Sequence, residues 1–378
     1  MPLQGFAQVR DPTRLDARGG GRARGNMKSF IYTAQASRVI FGLNSLENIE
    51  HEVVQVGAQR ALVLSTPEQR PEAEKVASRL GNRTAGIFAE AVMHVPIESA
   101  RAARDKAAQL GADCAVAIGG GSTTGLAKAI ALESTLPIIA IPTTYAGSEM
   151  TSIYGVTEDG IKRTGRDPRV LPRTVIYDPA LTTSLPVGLS AASGMNAIAH
   201  AVEGLYAQDS NPVISLLAEE GIRAMALGLR RVVVAPNDLE ARSDCLYGAW
   251  LCGIVLGGVG IALHHKLCHT LGGSFNLPHA ATHAVVLPHA VAFNAPAAPE
   301  EMQRICRALG TESAAAGIFD LAKALGLPQS LRDLGLGAHD LDRASDLAML
   351  SPYWNPRPFL LADIRELLRR AYEGDRPS

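Results

Sequence analysis

The sequence has no marked excess of charge and no long apolar run. Its 378 residues contain 36 Lys and Arg against 37 Asp and Glu, which gives a net charge of −1. Nucleic acid and anionic membranes attract strongly basic surfaces, so we expect neither as a partner. The nearest candidate for a membrane span, 130–141, contains Glu133 and Pro137 and is shorter than the roughly 20 residues that cross a bilayer.

Paired cysteines and a secretory signal are also missing. The five cysteines are odd in number and show no CxxC spacing, which predicts free thiols and a cytoplasmic protein. Residues 1–26 are rich in Arg and Gly and contain no apolar segment of the kind that a signal peptide needs. We predict that 1–26 form a disordered extension without a function of its own.

The first half of the chain shows alternating strand and helix patterns. Short apolar stretches at 61–64, 114–118, 138–141 and 175–177 predict buried strands, with helical patterns between them. This alternation predicts a parallel sheet covered by helices. After Pro186 the patterns are helical. The sequence therefore predicts an α/β domain at 27–186 and an all-α domain at 187–378, with the substrate in a cleft between them.

A glycine-rich turn follows the predicted strand at 114–118. Backbone amides at the start of the next helix can bind a phosphate group there, although the turn is neither a GxGxxG nor a Walker sequence. A second polar turn, 142–149, follows the next predicted strand. We predict that the two turns bind a dinucleotide, with contacts from Gly120, Gly121, Ser122, Thr143, Thr144 and Ser148.

Six of the ten histidines lie between positions 264 and 289. His265 and His269 are one helical turn apart and share a face, and Asn196 and His200 have the same spacing upstream. A single histidine is most often a hydrogen-bonded core or surface residue, but burying several without use is costly. Together with His279, these residues predict a metal site or a proton-transfer site.

The remaining histidines of this segment fit the cluster less well. His264 is expected to point away from the face that His265 and His269 share. His283 and His289 are expected to have supporting or structural roles.

Taken together, these features resemble the iron-containing alcohol dehydrogenase superfamily over nearly the whole of 28–378. The matching segments include 119–122, 141–144, 193–196 with His200 and Glu203, and 265–279. The resemblance implies a dinucleotide-binding α/β domain followed by an all-helical domain, a fold shared with dehydroquinate synthase. It also implies an oxidoreductase that uses NADH or NADPH, acts on a small molecule and forms a homodimer.

Three positions depart from the pattern of that superfamily. Metal-dependent members bind a divalent ion with one Asp and three His, and the matching residues here are Asn196, His200, His265 and His279. Because Asn196 replaces the anionic ligand, we expect weak metal binding and a reaction without a metal. Gly125 replaces an Asp of many alcohol dehydrogenases. Thr66 replaces an Asp of NAD-selective members, so both NADH and NADPH are expected to bind.

The sequence motifs GGGSTTGLA at 119–127 and HHKLCHTLGG at 264–273 are similar to those of one subfamily. Its members reduce the carbon–carbon double bond of the dicarboxylate 2-maleylacetate to 3-oxoadipate in aromatic-compound degradation, largely without a metal. The resemblance thus implies this reaction, in which charge builds on a ketone oxygen as hydride is transferred.

The residue roles follow from this expected reaction. We assign substrate polarisation to His265 and His279, substrate binding to His200, and proton donation or orientation to His269. Further candidates are Lys162 and Thr66 for the cofactor, and Tyr145, Tyr154 and Arg163 for the substrate.

Three alternatives stay open at the level of sequence. One is a metal-dependent alcohol or polyol dehydrogenase using Fe or Zn, which would lose activity with a chelator. Another is a lyase similar to dehydroquinate synthase, which would need a metal and a more basic phosphate pocket. The last is a non-catalytic nucleotide-binding regulator, which would not oxidise NADH.

Overall fold

Six parallel strands form a sheet in the first half of the chain. The structure is a computed structural model that describes residues 29–378 except 36, 160, 351 and 352, so the extension predicted at 1–26 lies outside the described residues. In chain order the strands, with those of a separate hairpin, are β1 (Arg38–Phe41), β2 (Ala61–Leu64), β3 (Thr84–Phe88), β4 (Cys114–Gly119), β5 (Ile138–Pro142), β6 (Ile153–Glu158), β7 (Ile161–Arg166) and β8 (Thr174–Tyr177). The sheet has the order β1–β8–β5–β4–β2–β3, and β6 and β7 form the antiparallel hairpin.

Helices cover both faces of this sheet. They are α1 (Ile49–Gln55), α2 (Arg70–Leu80), α3 (Ile97–Leu110) and α4 (Gly121–Ser134). Because side chains alternate along a strand, Leu62 and Leu64 of β2 pack in one core with α3 and α4. Ala61 and Val63 pack in the opposite core with α1 and α2. Burial on both sides explains why the strands are continuous apolar runs.

The second half of the chain is helical. Its helices are α5 (Val187–Leu205), α6 (Pro212–Val234), α7 (Leu239–Gly258), α8 (Leu263–Phe275), α9 (His279–Asn294), α10 (Pro299–Leu309), α11 (Ala314–Ala324), α12 (Leu341–Met349) and α13 (Leu361–Glu373). The predicted fold class, an α/β part followed by an all-α part, is confirmed. Among the described residues, no single helix is long and apolar enough to cross a membrane. Only α7 and α8 taken together, bent by 96°, meet that test on length and composition.

The change from strands to helices occurs where the sequence indicates it. β8 ends at Tyr177, and α5 begins at Val187 directly after Pro186. Both parts belong to one compact unit, Tyr32–Ser378. The division into domains at 27–186 and 187–378 therefore stays a prediction.

Helix α8 continues through two glycines. It includes Gly272 and Gly273, extends to Phe275 and stops at Asn276, which adopts a left-handed conformation (φ 53°). A glycine costs a helix only about 1 kcal/mol relative to alanine. Burial of Leu267 and Leu271 against the surrounding helices offsets that cost.

Candidate active site

The carboxyl ends of three neighbouring strands bring the predicted cofactor residues together. β2, β4 and β5 are adjacent and parallel in the sheet, so Thr66, the 119–122 turn and the 142–149 turn follow strands that end at the same edge. Parallel sheets bind ligands at this edge. The structure thus assembles cofactor candidates from three separate segments of sequence.

The glycine-rich turn passes from β4 into α4. Gly120 is the N-cap residue of α4, and Gly121 and Ser122 begin its first turn. Their amides lie at the positive end of the helix dipole, which suits a phosphate group. A Cβ atom at Gly120 would lie 2.9 Å from Cγ2 of Thr144, so the two turns are packed directly against each other.

Gln69 is a residue of this edge that the sequence patterns did not reveal. Its Nε2 donates to Oγ1 of Thr143 at 2.7 Å, which joins the segment after β2 to the turn after β5. A Cβ at Gly119 would lie 2.8 Å from Oε1 of Gln69, and Gly119 has a φ of 152°. Only glycine suits that position.

The side chain of the buried Lys128 connects α4 to the second turn by hydrogen bonds. Its Nζ donates to the carbonyl oxygens of Ser148 at 2.7 Å, Thr151 at 2.8 Å and Ile153 at 2.7 Å, and to Oγ1 of Thr151 at 3.0 Å. Burial lowers the pKa of Lys128 to about 7, and the nearby Glu149 opposes this shift. Ser148, a predicted cofactor contact, is thus positioned from α4.

The departure at Gly125 also has a steric reason. A Cβ at Gly125 would lie 2.8 Å from Cγ2 of Val95, so a side chain there requires Val95 to move. Val95 itself has a φ of 49°, an unusual conformation for a β-branched residue.

Tyr145 does not have the role that was predicted for it. Its side chain is fully buried, and its hydroxyl accepts a hydrogen bond from Nη1 of Arg242 at 3.2 Å. Arg242 is also fully buried and donates to Oγ of Ser190 at 2.7 Å and to the carbonyl oxygen of Leu185 at 3.1 Å. We therefore correct the substrate-binding prediction for Tyr145, because its hydroxyl belongs to this internal network.

Three other candidates lie on the β6–β7 hairpin. Tyr154 lies on β6 opposite Gly165, and Lys162 lies opposite Thr157. Arg163 is exposed and pairs with Glu158 at 3.6 Å. The cofactor role of Lys162 and the substrate roles of Tyr154 and Arg163 stay predictions.

Three helices bring the predicted histidines into one cluster. Asn196 and His200 lie on α5, His265 and His269 lie on α8, and His279 is the first residue of α9. The rings of His200 and His265 stack with their centroids 5.1 Å apart, and those of His265 and His269 are 6.1 Å apart.

His264 and His283 belong to the same cluster, contrary to what was expected of His264. Nε2 of His264 lies 3.0 Å from Nδ1 of His283, and both side chains are fully buried. The ring of His283 is 4.9 Å from that of His265 and 4.4 Å from that of His279. Helical spacing gives the direction in which His264 points from α8, but it does not show that His283 of α9 lies in that direction.

Unpartnered donor atoms mark this cluster as a candidate metal site. Oδ1 of Asn196, Nδ1 of His200 and Nε2 of His265 are buried and have no hydrogen-bond partner among the described residues. Burial, followed by the nearby His265, His279 and His269, lowers the pKa of His200 well below its ordinary value. A neutral imidazole has a free lone pair, so the donor set fits a divalent ion.

The close approach of Gly147 joins the cofactor edge to the histidine cluster. Gly147 has a φ of 77°, and a Cβ there would lie 3.1 Å from Cα of Gly253 on α7 and 3.7 Å from Nδ1 of His200. The second polar turn therefore runs directly past His200. The sheet edge with the predicted cofactor residues is therefore next to the candidate metal site.

Family models match both halves of the chain. Residues 36–179 match the model of iron-containing alcohol dehydrogenases, and residues 190–372 match that of the C-terminal region of the Fe-containing alcohol dehydrogenase family. Together they cover most of the sequence.

Similar proteins match over almost their whole length. The maleylacetate reductase of Burkholderia cepacia is 61% identical over 352 residues, which cover 93% of this chain and 100% of the relative. The crystal structure of maleylacetate reductase from Agrobacterium tumefaciens is 54% identical, with a TM-score of 0.91 over 93% of this chain and 100% of that one. An iron-containing alcohol dehydrogenase from Corynebacterium glutamicum is 44% identical, with a TM-score of 0.89 over 93% and 99%.

These matches correct the expectation of a reaction without a metal, which is wrong. Family models and a solved structure of iron-containing alcohol dehydrogenases point to NAD(P) together with iron or another metal ion. The loss of the anionic ligand at Asn196 was given too much weight. An amide oxygen is still a metal donor, and Oδ1 of Asn196 is buried without a hydrogen-bond partner among the described residues, as are Nδ1 of His200 and Nε2 of His265.

Proposed function

Because the chain belongs to the iron-containing alcohol dehydrogenase family, we propose that it reduces the carbon–carbon double bond of 2-maleylacetate to give 3-oxoadipate. The protein is an oxidoreductase, and curated relatives at 50–61% identity over most of the chain are maleylacetate reductases. The observation that carries the proposal is the histidine cluster beside the second cofactor turn, joined to it at Gly147.

The cofactor is NADH or NADPH in this proposal. The amides of Gly121 and Ser122 at the start of α4 suit its pyrophosphate, and Thr143 and Thr144 suit a ribose. Thr66 carries no negative charge that would repel a 2′-phosphate, which supports the use of both cofactors. The Gly147 turn runs past His200, so a cofactor bound along this edge would lie close to the histidine cluster.

The metal-binding residues are Asn196, His200, His265 and His279. A divalent ion held by them would act as a Lewis acid on the ketone oxygen of the substrate. His265 and His279, first assigned to direct polarisation of the substrate, and His200, first assigned to substrate binding, serve as ligands under this proposal.

The reaction itself is a conjugate reduction. Bound NADH or NADPH would supply a hydride to the alkene carbon that is β to the ketone, and the electron pair of the double bond would move towards the ketone oxygen. A proton then adds to the neighbouring α carbon, which completes 3-oxoadipate and leaves NAD(P)⁺. His269 is the candidate proton donor, because it lies on the same face of α8 as His265 with the ring centroids 6.1 Å apart.

Consumption of NADH or NADPH with 2-maleylacetate tests this function. We expect oxidation of the cofactor and formation of 3-oxoadipate, identified by mass spectrometry. A chelator should abolish the activity, and Fe²⁺ or Zn²⁺ should restore it. No cofactor oxidation with 2-maleylacetate, combined with oxidation of simple alcohols by NAD⁺, would instead identify an alcohol dehydrogenase of the same family.

Assembly and location are further parts of the proposal. The family resemblance supports a homodimer, for which light scattering should give about 80 kDa, twice the 39.9 kDa of one chain. The free cysteines support a reducing compartment such as the cytoplasm.

A further inference from the structure

Glu203 is a fully buried acidic residue at the centre of the histidine cluster. It follows His200 by three positions on α5 and therefore lies on the same side of that helix. Its Oε2 accepts a hydrogen bond from the amide of Ala262 at 2.9 Å, and its Oε1 accepts one from the amide of His264 at 2.7 Å. Both amides belong to the beginning of α8, where the helix dipole favours a negative charge.

The third partner of Glu203 is a histidine ring. Oε2 of Glu203 lies 2.7 Å from Nδ1 of His265. With a backbone N–H group directed at each of its two oxygens at the start of a helix, Glu203 has the surroundings of an ionised carboxylate, which can only accept hydrogen bonds. Nδ1 of His265 must therefore carry the proton, and Nε2 keeps its lone pair.

That lone pair accepts no hydrogen bond within the described part of the protein. Nε2 of His265 is buried and has no hydrogen-bond partner among the described residues. Since the opposite edge of the ring is held by Glu203, Nε2 is fixed in position as a ligand atom. A carboxylate behind a metal-binding imidazole both orients the ring and strengthens it as a donor.

We propose that Glu203 is a positioning residue that fixes the tautomer of His265 and supplies the negative charge of the metal site. Asn196 contributes no charge, so the residues that would hold the ion include no anionic ligand. Glu203 places a full negative charge one imidazole ring away. Both of its oxygens are occupied by N–H groups, so it acts through His265 and not as a ligand.

This inference deepens the proposed function, because it rests on the same metal site. It does not depend on the identity of the substrate. Metal binding and the tautomer of His265 can both be measured in full-length protein without substrate or cofactor.

Zinc affinity tests the charge that Glu203 supplies. We expect Glu203→Gln, which keeps the size and removes the charge, to weaken Zn²⁺ binding about 10- to 100-fold in competition with a chromophoric chelator. Asn196→Asp in the same background should restore most of the affinity by placing the charge on a ligand.

Asp238→Asn is the matched control for that experiment. Asp238 also accepts from two backbone amides at the start of a helix, those of Glu240 and Ala241 on α7, and its half-buried side chain pairs with Arg231. Its neutralisation should leave Zn²⁺ affinity within twofold of the wild type. Circular dichroism and the Tm establish that each variant is folded.

The tautomer is measured in the wild-type protein by nitrogen NMR. In metal-free protein with ¹⁵N-labelled histidine, we expect the His265 ring to be protonated at Nδ1, with its signal assigned by its loss in His265→Gln. Protonation at Nε2 would overturn the proposal even if Glu203→Gln did not fold. Folded Glu203→Gln with unchanged Zn²⁺ affinity would overturn it as well. Weakened zinc binding in a protein that does not reduce 2-maleylacetate would contradict only the substrate assignment.

Discussion

At the scale of single residues, Gly120 sets the distance between the two turns that follow β4 and β5. A Cβ at this position would lie 2.9 Å from Cγ2 and 3.0 Å from Oγ1 of Thr144. The side chain of Thr144 must then rotate or move away, which changes the surface offered to the cofactor. The effect on folding should be small, because only the end of one side chain is displaced.

Gly120→Ala should therefore impair cofactor binding more than stability. We expect the KM for NADH to rise about tenfold or more, with a Tm within a few degrees of the wild type, as overpacking by one methyl group costs roughly 1–3 kcal/mol. Steady-state kinetics and thermal unfolding measure the two effects.

Gly188→Ala provides the control for this change. Gly188 lies in the first turn of α5, and a Cβ there would have nothing within 4 Å. Alanine should raise stability slightly and leave the KM unchanged. Equal KM values in Gly120→Ala and Gly188→Ala would contradict the close packing of the two turns.

At the scale of elements, α4 holds the second turn through Lys128. Lys128→Met keeps most of the volume but leaves three carbonyl oxygens and the hydroxyl of Thr151 without this donor. The carbonyl oxygen of Ser148 keeps the amide and the hydroxyl of Thr151 as donors, whereas those of Thr151 and Ile153 lose this one. Buried groups without partners cost about 1–3 kcal/mol each, so we expect a loss of about 2 kcal/mol or more in unfolding free energy. Hydrogen exchange should also become faster at 148–153.

Lys75→Met is the comparison for Lys128→Met. Lys75 is exposed on α2, so its replacement should change the unfolding free energy by less than about 0.5 kcal/mol. If hydrogen exchange at 148–153 were the same in both variants, Lys128 would not be what holds this turn.

Helix α9 contributes a pH-dependent term to stability through His289. The side chain is 3% exposed, and burial, followed by the charge of Arg370, lowers its pKa to about 4. The unfolded chain, with a pKa near 6.5, binds more protons between pH 6.5 and 4. Stability therefore falls as the pH is lowered through this window, by roughly 2 kcal/mol at pH 5 from His289 alone.

His289→Gln should reduce that pH dependence. Urea unfolding at pH 7.5 and pH 5 should show a smaller loss of stability in this variant than in the wild type. The exposed His339 gives the control, since His339→Gln should keep the full wild-type loss. An equally large loss in His289→Gln would place the pH dependence in other groups.

Elements with a clear period could be predicted from the sequence, and elements without one could not. The strands at 61–64 and 138–141 appear where their patterns indicate. α9 has no clear period, because it is apolar on most sides and contains Pro288. The β6–β7 hairpin was missed because its strands contain many polar residues and show no apolar face.

The site was predictable only as far as residue spacing carries information. Asn196 and His200 share a face of α5, and His265 and His269 share a face of α8, as their helical spacing suggests. The contact of His200 with His265 joins two helices, and spacing does not predict it. The contacts of Gln69, Lys128 and Glu203 depend on segments that meet only in the folded chain, so no local pattern contains them. Tyr145 was misjudged for the same reason, because Arg242 is 97 positions away in sequence.

At the scale of the whole molecule, residues 1–26 lie outside the segments that the family models match. The first strand begins at Arg38, and the family model begins at residue 36. A variant that starts at Met27 should therefore keep wild-type turnover and Tm. A drop in kcat or in Tm by more than a few degrees would assign a function to 1–26.

The order of the strands has a consequence for how the chain folds during synthesis. β8 lies between β1 and β5, and Arg38 pairs with Thr174, which is 136 positions later (174 − 38). β1 therefore cannot pair in the sheet until the following 136 residues have been synthesised. Pairing of such distant segments is slow, and an incomplete chain presents unpaired strand edges to its neighbours. We therefore expect the sheet to be completed only after β8 has emerged from the ribosome, and the nascent chain to be most prone to aggregate before that point.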